Sequence, residues 1–359
     1  MRRFIPSLIT VAIIVTLSVF QRDLLRDIFS RLAEIPLWGF IPLLGAGGAV
    51  IVARALFLRS CSPGITLRQA ITADQTALAA GYGIAVGGGP IGTAMRIHMF
   101  TKWGLTSQTI ATSIVATAVV PSFTTWGLPI IVLIWPFISG NTNTVETIAL
   151  WAGVVLVSTS AMFWWIALRW PFVLSKVGHV GRVLRSLILK KLPARFWRTR
   201  KLAERTTPQK FTDELRLSLV HLIRTRGLMI IASSSSTLLA SLLALWTSAQ
   251  LFGATGLSFV ECLIAFSLIR VLVALSPIPG GIGIAELGLI ALLENAGLST
   301  LDATGTTILY RFLTWFLPIV VGTVLWWRYS HTRQEKNNGS LRDDNPQFQD
   351  TSGGVRLHG

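Results

Sequence analysis

Charge is what this chain has least of. Asp, Glu, Lys and Arg make up 13% of its 359 residues, against roughly 25% in a typical soluble domain. That shortage excludes an ordinary soluble fold, and a mean hydropathy of +0.61 agrees. Acids are scarcer still, at 16 against 32 Lys and Arg. Cysteine occurs twice, as Cys61 and Cys262. Two thiols so far apart give no disulfide framework and no metal spacing, and they read as small packing residues. The five histidines, at 98, 179, 221, 331 and 358, are scattered. The chain has no P-loop, no D-x-D, no H-E-x-x-H and no G-x-S-x-G. The missing motifs argue against an enzyme, and nothing in the sequence implies a cofactor or a metal.

Long apolar runs are what the chain has instead. A span needs about 20 mostly apolar residues, and six runs meet that length: Phe4–Phe20, Ile35–Leu58, Ser107–Phe137, Glu146–Leu168, Leu228–Phe252 and Leu301–Trp327. Thirteen Trp suit interfacial anchoring. The first run follows Met1-Arg-Arg but lacks an A-x-A-like cleavage pattern, so it is expected to remain as a span. The third contains Pro121 and Pro129 and is expected to kink or tilt. Two more apolar regions are interrupted, Ile71–Phe100 at Gly87-Gly-Gly-Pro90 and Leu257–Asn295 at Pro277–Gly283.

Positive charge orients these pieces. Between Arg169 and Arg226 lie 15 Lys/Arg and 3 acids. In a membrane protein this reads as a cytoplasmic loop that attracts anionic lipid, not as a nucleic-acid site. Arg2 and Arg3 place the N-terminus in the cytoplasm, and Arg328, Arg333 and Lys336 place the C-terminus there too. The uncharged loop Ser139–Val145 then faces out. Parity makes Ile71–Phe100 a hairpin re-entering from the inner side and Leu257–Asn295 one re-entering from the outer side. The expected fold is all-α and polytopic, with about six spanning helices and two re-entrant helical hairpins arranged as an inverted-topology repeat. Gly104-Leu-Thr-Ser and Gly297-Leu-Ser-Thr echo each other after the two hairpins.

The expected divisions are as follows. Residues 1–34 hold the first span and an amphipathic interfacial helix. Residues 35–168 form the first membrane half, with its re-entrant region at 71–100. Residues 169–227 are the basic cytoplasmic loop, with a basic interfacial helix around Val180–Ile188. Residues 228–330 form the second half, with its re-entrant region at 257–296. Residues 331–359 are a polar tail expected to be disordered.

The breaks locate a candidate site. A helix cannot run straight through Pro277-Ile-Pro-Gly-Gly, and irregular backbone at membrane depth is tolerated only where protein or a cavity satisfies it. Arg96 follows the first break, Glu286 follows the second, Arg270 precedes the second, and Arg311 lies inside the last run. Charges at depth are costly and tend to face a cavity or each other. Helix N-termini starting near mid-depth would add N–H groups and partial positive charge. The candidate binding set is therefore Arg96, Arg270, Arg311 and Glu286, with Gly92, Pro279, Gly280, Gly281 and Gly283 of the breaks. These residues would hold a phosphate, with Glu286 either meeting a cationic headgroup or pairing with Arg311. Asp74 and His98 are expected nearer the inner interface.

Pro277-Ile-Pro-Gly-Gly-Ile-Gly-Ile-Ala-Glu286, Gly297-Leu-Ser, Tyr310-Arg311-Phe-Leu-Thr and Gly322 resemble the C-terminal signature of the lysylphosphatidylglycerol synthase transmembrane, or flippase-like, family. Gly89-Pro-Ile-Gly92 followed by Arg96 is similar to its earlier Pro-x-x-Gly-x-x-x-Arg element, with shifted glycines. The resemblance covers about residues 1–330. It implies a multi-pass translocator in the bacterial cytoplasmic membrane that moves a phospholipid or lipid-linked headgroup, with anionic membrane lipids as partners. The alternative is a membrane-embedded enzyme or accessory subunit of lipid modification, working with a separate synthase or glycosyltransferase. The soluble synthase domain of some members has only a short polar tail in its place here, so lysine transfer is not expected of this chain.

Overall fold

The computed structural model describes residues 22–83, 88–140, 142–169, 208–254, 256–275, 281 and 283–343. Every regular element among them is helical. The helices are α1 (Arg22–Glu34), α2 (Phe40–Cys61), α3 (Leu67–Gly83), α4 (Gly88–Lys102), α5 (Ser107–Ile138), α6 (Thr144–Arg169), α7 (Pro208–Leu251), α8 (Phe259–Leu275), α9 (Ile284–Asn295), α10 (Thr300–Arg311) and α11 (Leu317–Asp343). A π turn, Phe312–Phe316, joins the last two. Five stretches are long and apolar enough to cross a membrane: Leu37–Cys61, Ser107–Ile138, Thr144–Ile166, Glu214–Leu251 and Thr300–His331. They coincide with five of the six expected spans. The run Phe4–Phe20, the basic helix near Val180 and the break Pro277–Gly280 lie outside the described residues.

Two boundaries differ from the sequence reading. Helix α7 starts at Pro208, so residues 208–227 continue a helix where a loop was expected. Helix α11 continues to Asp343, past the expected start of the disordered tail at residue 331. In both places the helix outlasts the apolar run. Once a helix is nucleated, each further residue adds a hydrogen bond whatever its polarity, so hydropathy marks the membrane-compatible core of a helix and not its ends.

The order long helix, two short helices, long helix occurs twice, as α2 to α5 and as α7 to α11. Both pairs of short arms end in the same turn. After α4, the Gly104 N–H donates to the Thr101 carbonyl and the Leu105 N–H to the Phe100 carbonyl. After α9, the Gly297 N–H donates to Glu294 and the Leu298 N–H to Leu293. This is the Schellman pattern, which needs a left-handed residue; Gly104 has φ +83° and Gly297 φ +94°. The next long helix then starts from a hydroxyl cap. Thr106 accepts from the Thr109 N–H, and Ser299 accepts from the Asp302 N–H. The Gly-Leu-Thr/Ser echo is thus one helix-to-helix turn used twice.

Apolar surface faces outward as well as inward. Leu37, Trp38, Ile131, Trp135, Trp165 and Leu228 are all exposed, the pattern of a bundle solvated by lipid. In lipid the hydrophobic effect does little to hold helices together, so close packing of small residues must do it. Helix α2 packs along α7, and Ala46, Val50 and Ala53 share one buried cluster with Ala240, Ala244, Leu245 and Ala249. Glycines bring backbones together elsewhere. A Cβ on Gly92 would collide with the Ala77 carbonyl across the α3–α4 pair. A Cβ on Gly322 would collide with the Gln75 carbonyl, where α11 crosses α3.

Overpacking of this kind costs about 1–3 kcal/mol. Gly92→Val and Gly322→Val are therefore expected to lower the thermal unfolding midpoint of the detergent-purified protein. Gly48→Ala, with nothing within 4 Å of its Cβ, should leave the midpoint unchanged or raise it, because alanine favours helix.

Candidate functional site

A cavity of about 420 Å³ lies at the centre of the bundle, lined by every helix from α2 to α11 except α6. Four arginines line it: Arg54 of α2, Arg96 of α4, Arg270 of α8 and Arg311 of α10. Two carboxylates answer them, and each is fully committed.

Asp74 of α3 is shared by two guanidiniums. Arg54 Nε donates to Oδ2 at 2.9 Å, and Arg96 Nη2 donates to Oδ1 at 3.2 Å. Its side chain is only 5% exposed. At this depth both carboxylate oxygens are met by guanidinium donors, so neither is left without a partner. The bridge also fixes geometry, since it ties the span α2 to both arms of the α3–α4 pair.

Glu286 does the corresponding work in the second half. Its Oε1 accepts from Arg311 Nε at 2.5 Å, and its Oε2 accepts from the Gly283 N–H at 2.6 Å. Gly283 precedes the first residue of α9, and Glu286 sits three residues on, where a carboxylate satisfies a free N–H and complements the helix dipole. The glutamate therefore locks the start of α9 to the end of α10. The π turn begins directly after Arg311, and such turns re-aim side chains within a helix.

Arg270 is different. Among the described residues it forms no salt bridge; its guanidinium lies 4.7 Å from the centroid of the Phe266 ring. Arg96 Nε and Gln75 Oε1 are also buried without a hydrogen-bond partner among the described residues. Six hydroxyls, from Thr117, Thr124, Thr125, Ser234, Thr237 and Ser241, line the cavity from α5 and α7. Thr237 and Ser241 donate to carbonyls of their own helix, and Thr124 and Ser234 lie 2.9 Å apart. With four arginines and two carboxylates, the chamber holds two surplus positive charges, hydroxyl groups and unspent guanidinium N–H donors. An arginine fork matches the oxygens of a phosphate or carboxylate.

The structure brings Arg96, Arg270 and Arg311 together as the sequence suggested, with Glu286 paired to Arg311. Gly92 is not in the cavity lining; it faces the Ala77 carbonyl of the neighbouring arm. Gly281 has φ +63° and sits against Val273 of α8. Gly283 makes the turn into α9. Pro279 and Gly280 lie outside the described residues. Helix α9 reaches the cavity with its first turn, at Ala285, whereas α4 reaches it two turns in, at Arg96. Asp74, which was not in the candidate set, lines the same cavity as the four arginines. Arg54 was missed altogether, although a lone charge inside the apolar run Ile35–Leu58 was the signal for it. Among the described residues no group of three or more His, Cys, Asp or Glu comes together.

These features define an all-helical integral membrane protein with an arginine-rich central cavity. The family model described as lysylphosphatidylglycerol synthase TM region matches residues 4–322, and the chain belongs to that family. No curated protein matches it.

The Glu286–Arg311 pair is expected to couple energetically. Removing one member leaves the other charge half-buried and unpaired, which costs more than removing both. In a double-mutant cycle of Glu286→Gln and Arg311→Met, read by thermal unfolding in detergent, the double variant should be less destabilised than the sum of the singles. The expected coupling is about 0.5–3 kcal/mol. Additive effects would show that the pair does not lock the helices.

Proposed function

We propose that this protein translocates a lipid with a phosphate-bearing headgroup across the membrane. The observation that carries the reading is the surplus of guanidinium over carboxylate in a central cavity inside a lipid-facing bundle. Arg270 supplies the uncommitted charge. The remaining N–H groups of Arg54, Arg96 and Arg311 complete a cradle for phosphate oxygens, and the hydroxyls of α5 and α7 meet polar groups beside it. Asp74 and Glu286 hold the cradle in shape without neutralising it.

In this reading α3–α4 and α8–α9 are re-entrant hairpins entering from opposite faces, and the two halves form an inverted-topology repeat. Rocking of one half against the other exposes the cavity to alternate leaflets while the hydrocarbon chains stay in apolar surroundings. Both termini are cytoplasmic, and the membrane is the bacterial cytoplasmic membrane. The basic stretch Arg169–Arg226 draws anionic lipid to that face, each Lys or Arg near the surface contributing about 1 kcal/mol. The family's name associates it with a lysyl ester of phosphatidylglycerol, a lipid whose phosphate such a cradle fits.

Full-length protein in phosphatidylcholine vesicles doped with an acyl-labelled fluorescent phosphatidylglycerol tests this. The wild type should expose inner-leaflet label to an external quencher faster than protein-free vesicles do. Loss of one charge-assisted hydrogen bond is worth about 1.5–3 kcal/mol, so Arg270→Gln and Arg311→Gln should each slow the exchange roughly tenfold or more. Rates equal to those of protein-free vesicles, or variants as fast as the wild type, would contradict the proposal. So would cells lacking the gene that lose a lipid product instead of misplacing one between leaflets.

A further inference from the structure

A second cavity, an apolar groove of about 970 Å³, runs along α5, α6, α7 and α8. Apart from Thr124 and Ser235 its lining is aliphatic, aromatic or glycine. It follows α5 from Val115 to Ile131 and α7 from Leu219 to Leu242, which is roughly 24 and 35 Å of helix at 1.5 Å per residue. The hydrocarbon core of a bilayer is about 30 Å thick.

The groove and the arginine cavity adjoin. Thr124 and Leu238 line both. Phe266 lines the groove, and its ring carries the guanidinium of Arg270, which lines the cavity. A charged end and an apolar bed thus meet at one seam, a side chain apart. We propose that the groove binds a hydrocarbon chain of the same lipid whose phosphate rests among the arginines. The inference builds on the translocator reading above and narrows the substrate to a lipid whose tail is held by the protein during transfer.

Three features select this occupant. An apolar cleft does not hold ordered water, which needs two to four polar partners. The lining offers only two hydroxyls, too few to satisfy an extended peptide backbone. The position of Arg270 on Phe266 demands an occupant that changes from anionic to apolar within one side chain's length, as a phospholipid does. Burial of each CH₂ against protein instead of water is worth about 0.8 kcal/mol, but in a bilayer that gain vanishes. The groove therefore supplies orientation, keeping the tail beside the path of its headgroup.

The test is photocrosslinking of the full chain in phosphatidylcholine vesicles containing a few percent of phosphatidylglycerol with a diazirine in one acyl chain. Label should concentrate on Val119–Phe123 of α5 and Ile231–Leu239 of α7. Excess unlabelled phosphatidylglycerol should compete it away, and Leu239→Trp or Ile231→Trp should cut it at least fivefold. Both residues are more than half exposed, so tryptophan there fills the groove without disturbing the core, and monodispersity in detergent checks this. Label on the outer face around Leu44 should resist competition. Equal, uncompeted labelling of both faces would reduce the groove to bulk lipid contact and overturn the inference. Crosslinking of a cysteine at position 239 to residues 1–21 or to a second copy would overturn it too, by naming another occupant. If the groove stays unlabelled while arginine-dependent exchange persists, the groove inference alone fails; if both are lost, the translocator reading falls with it.

Discussion

Four guanidinium groups share one chamber inside a bundle whose outer surface is apolar, and only two carboxylates meet them. Placing a charge in such surroundings costs several kcal/mol unless it is paired. Asp74 spends both oxygens on Arg54 and Arg96. Glu286 spends one on Arg311 and the other on a backbone N–H. The carboxylates are thereby used up in holding helices together. The remaining positive charge has nothing among the described residues to neutralise it, and this deficit is what a phosphate would fill.

The helical framework follows from the same economy of polar groups. Two pairs of short helices bring backbone and arginines to the centre, and their close approach rests on glycine. Gly92 lets α4 lie on Ala77, and Gly322 lets α11 cross at Gln75. Gln75 is itself fully buried, beside Asp74, and its side-chain amide reaches that carboxylate at 3.4 Å. The contact that sets helix spacing therefore also sets where the Asp74 bridge sits. Packing and charge placement cannot be varied independently here, so a bulky residue at Gly322 disturbs the site without touching it.

The sequence showed the helical spans because hydropathy over about twenty residues is a strong signal. Arg96, Arg270, Arg311 and Glu286 were legible because charge is so rare that each instance stands out. Arg54 carried the same signal, as the lone charge of Ile35–Leu58, and was passed over because that run was read as a plain span while attention fell on the interrupted regions. Gly92 was read toward the ligand when its role is to admit a neighbouring backbone; a glycine's neighbours are a tertiary fact that one chain does not display. The part Asp74 plays was not legible because its partners Arg54 and Arg96 come from two other helices, which no local pattern records. The polar ends of α7 and α11 were missed because helix continuation does not need apolar residues.

The central claim is that the arginine chamber holds a lipid phosphate. Its most direct test is a high-resolution structure of the full chain in nanodiscs made with phosphatidylglycerol brominated in its acyl chains. The account predicts phosphate density in contact with Arg270 and within reach of Arg54, Arg96 and Arg311, continuous with a brominated chain. A chamber closed by side chains, with phosphates only at the bundle's outer rim, would contradict it.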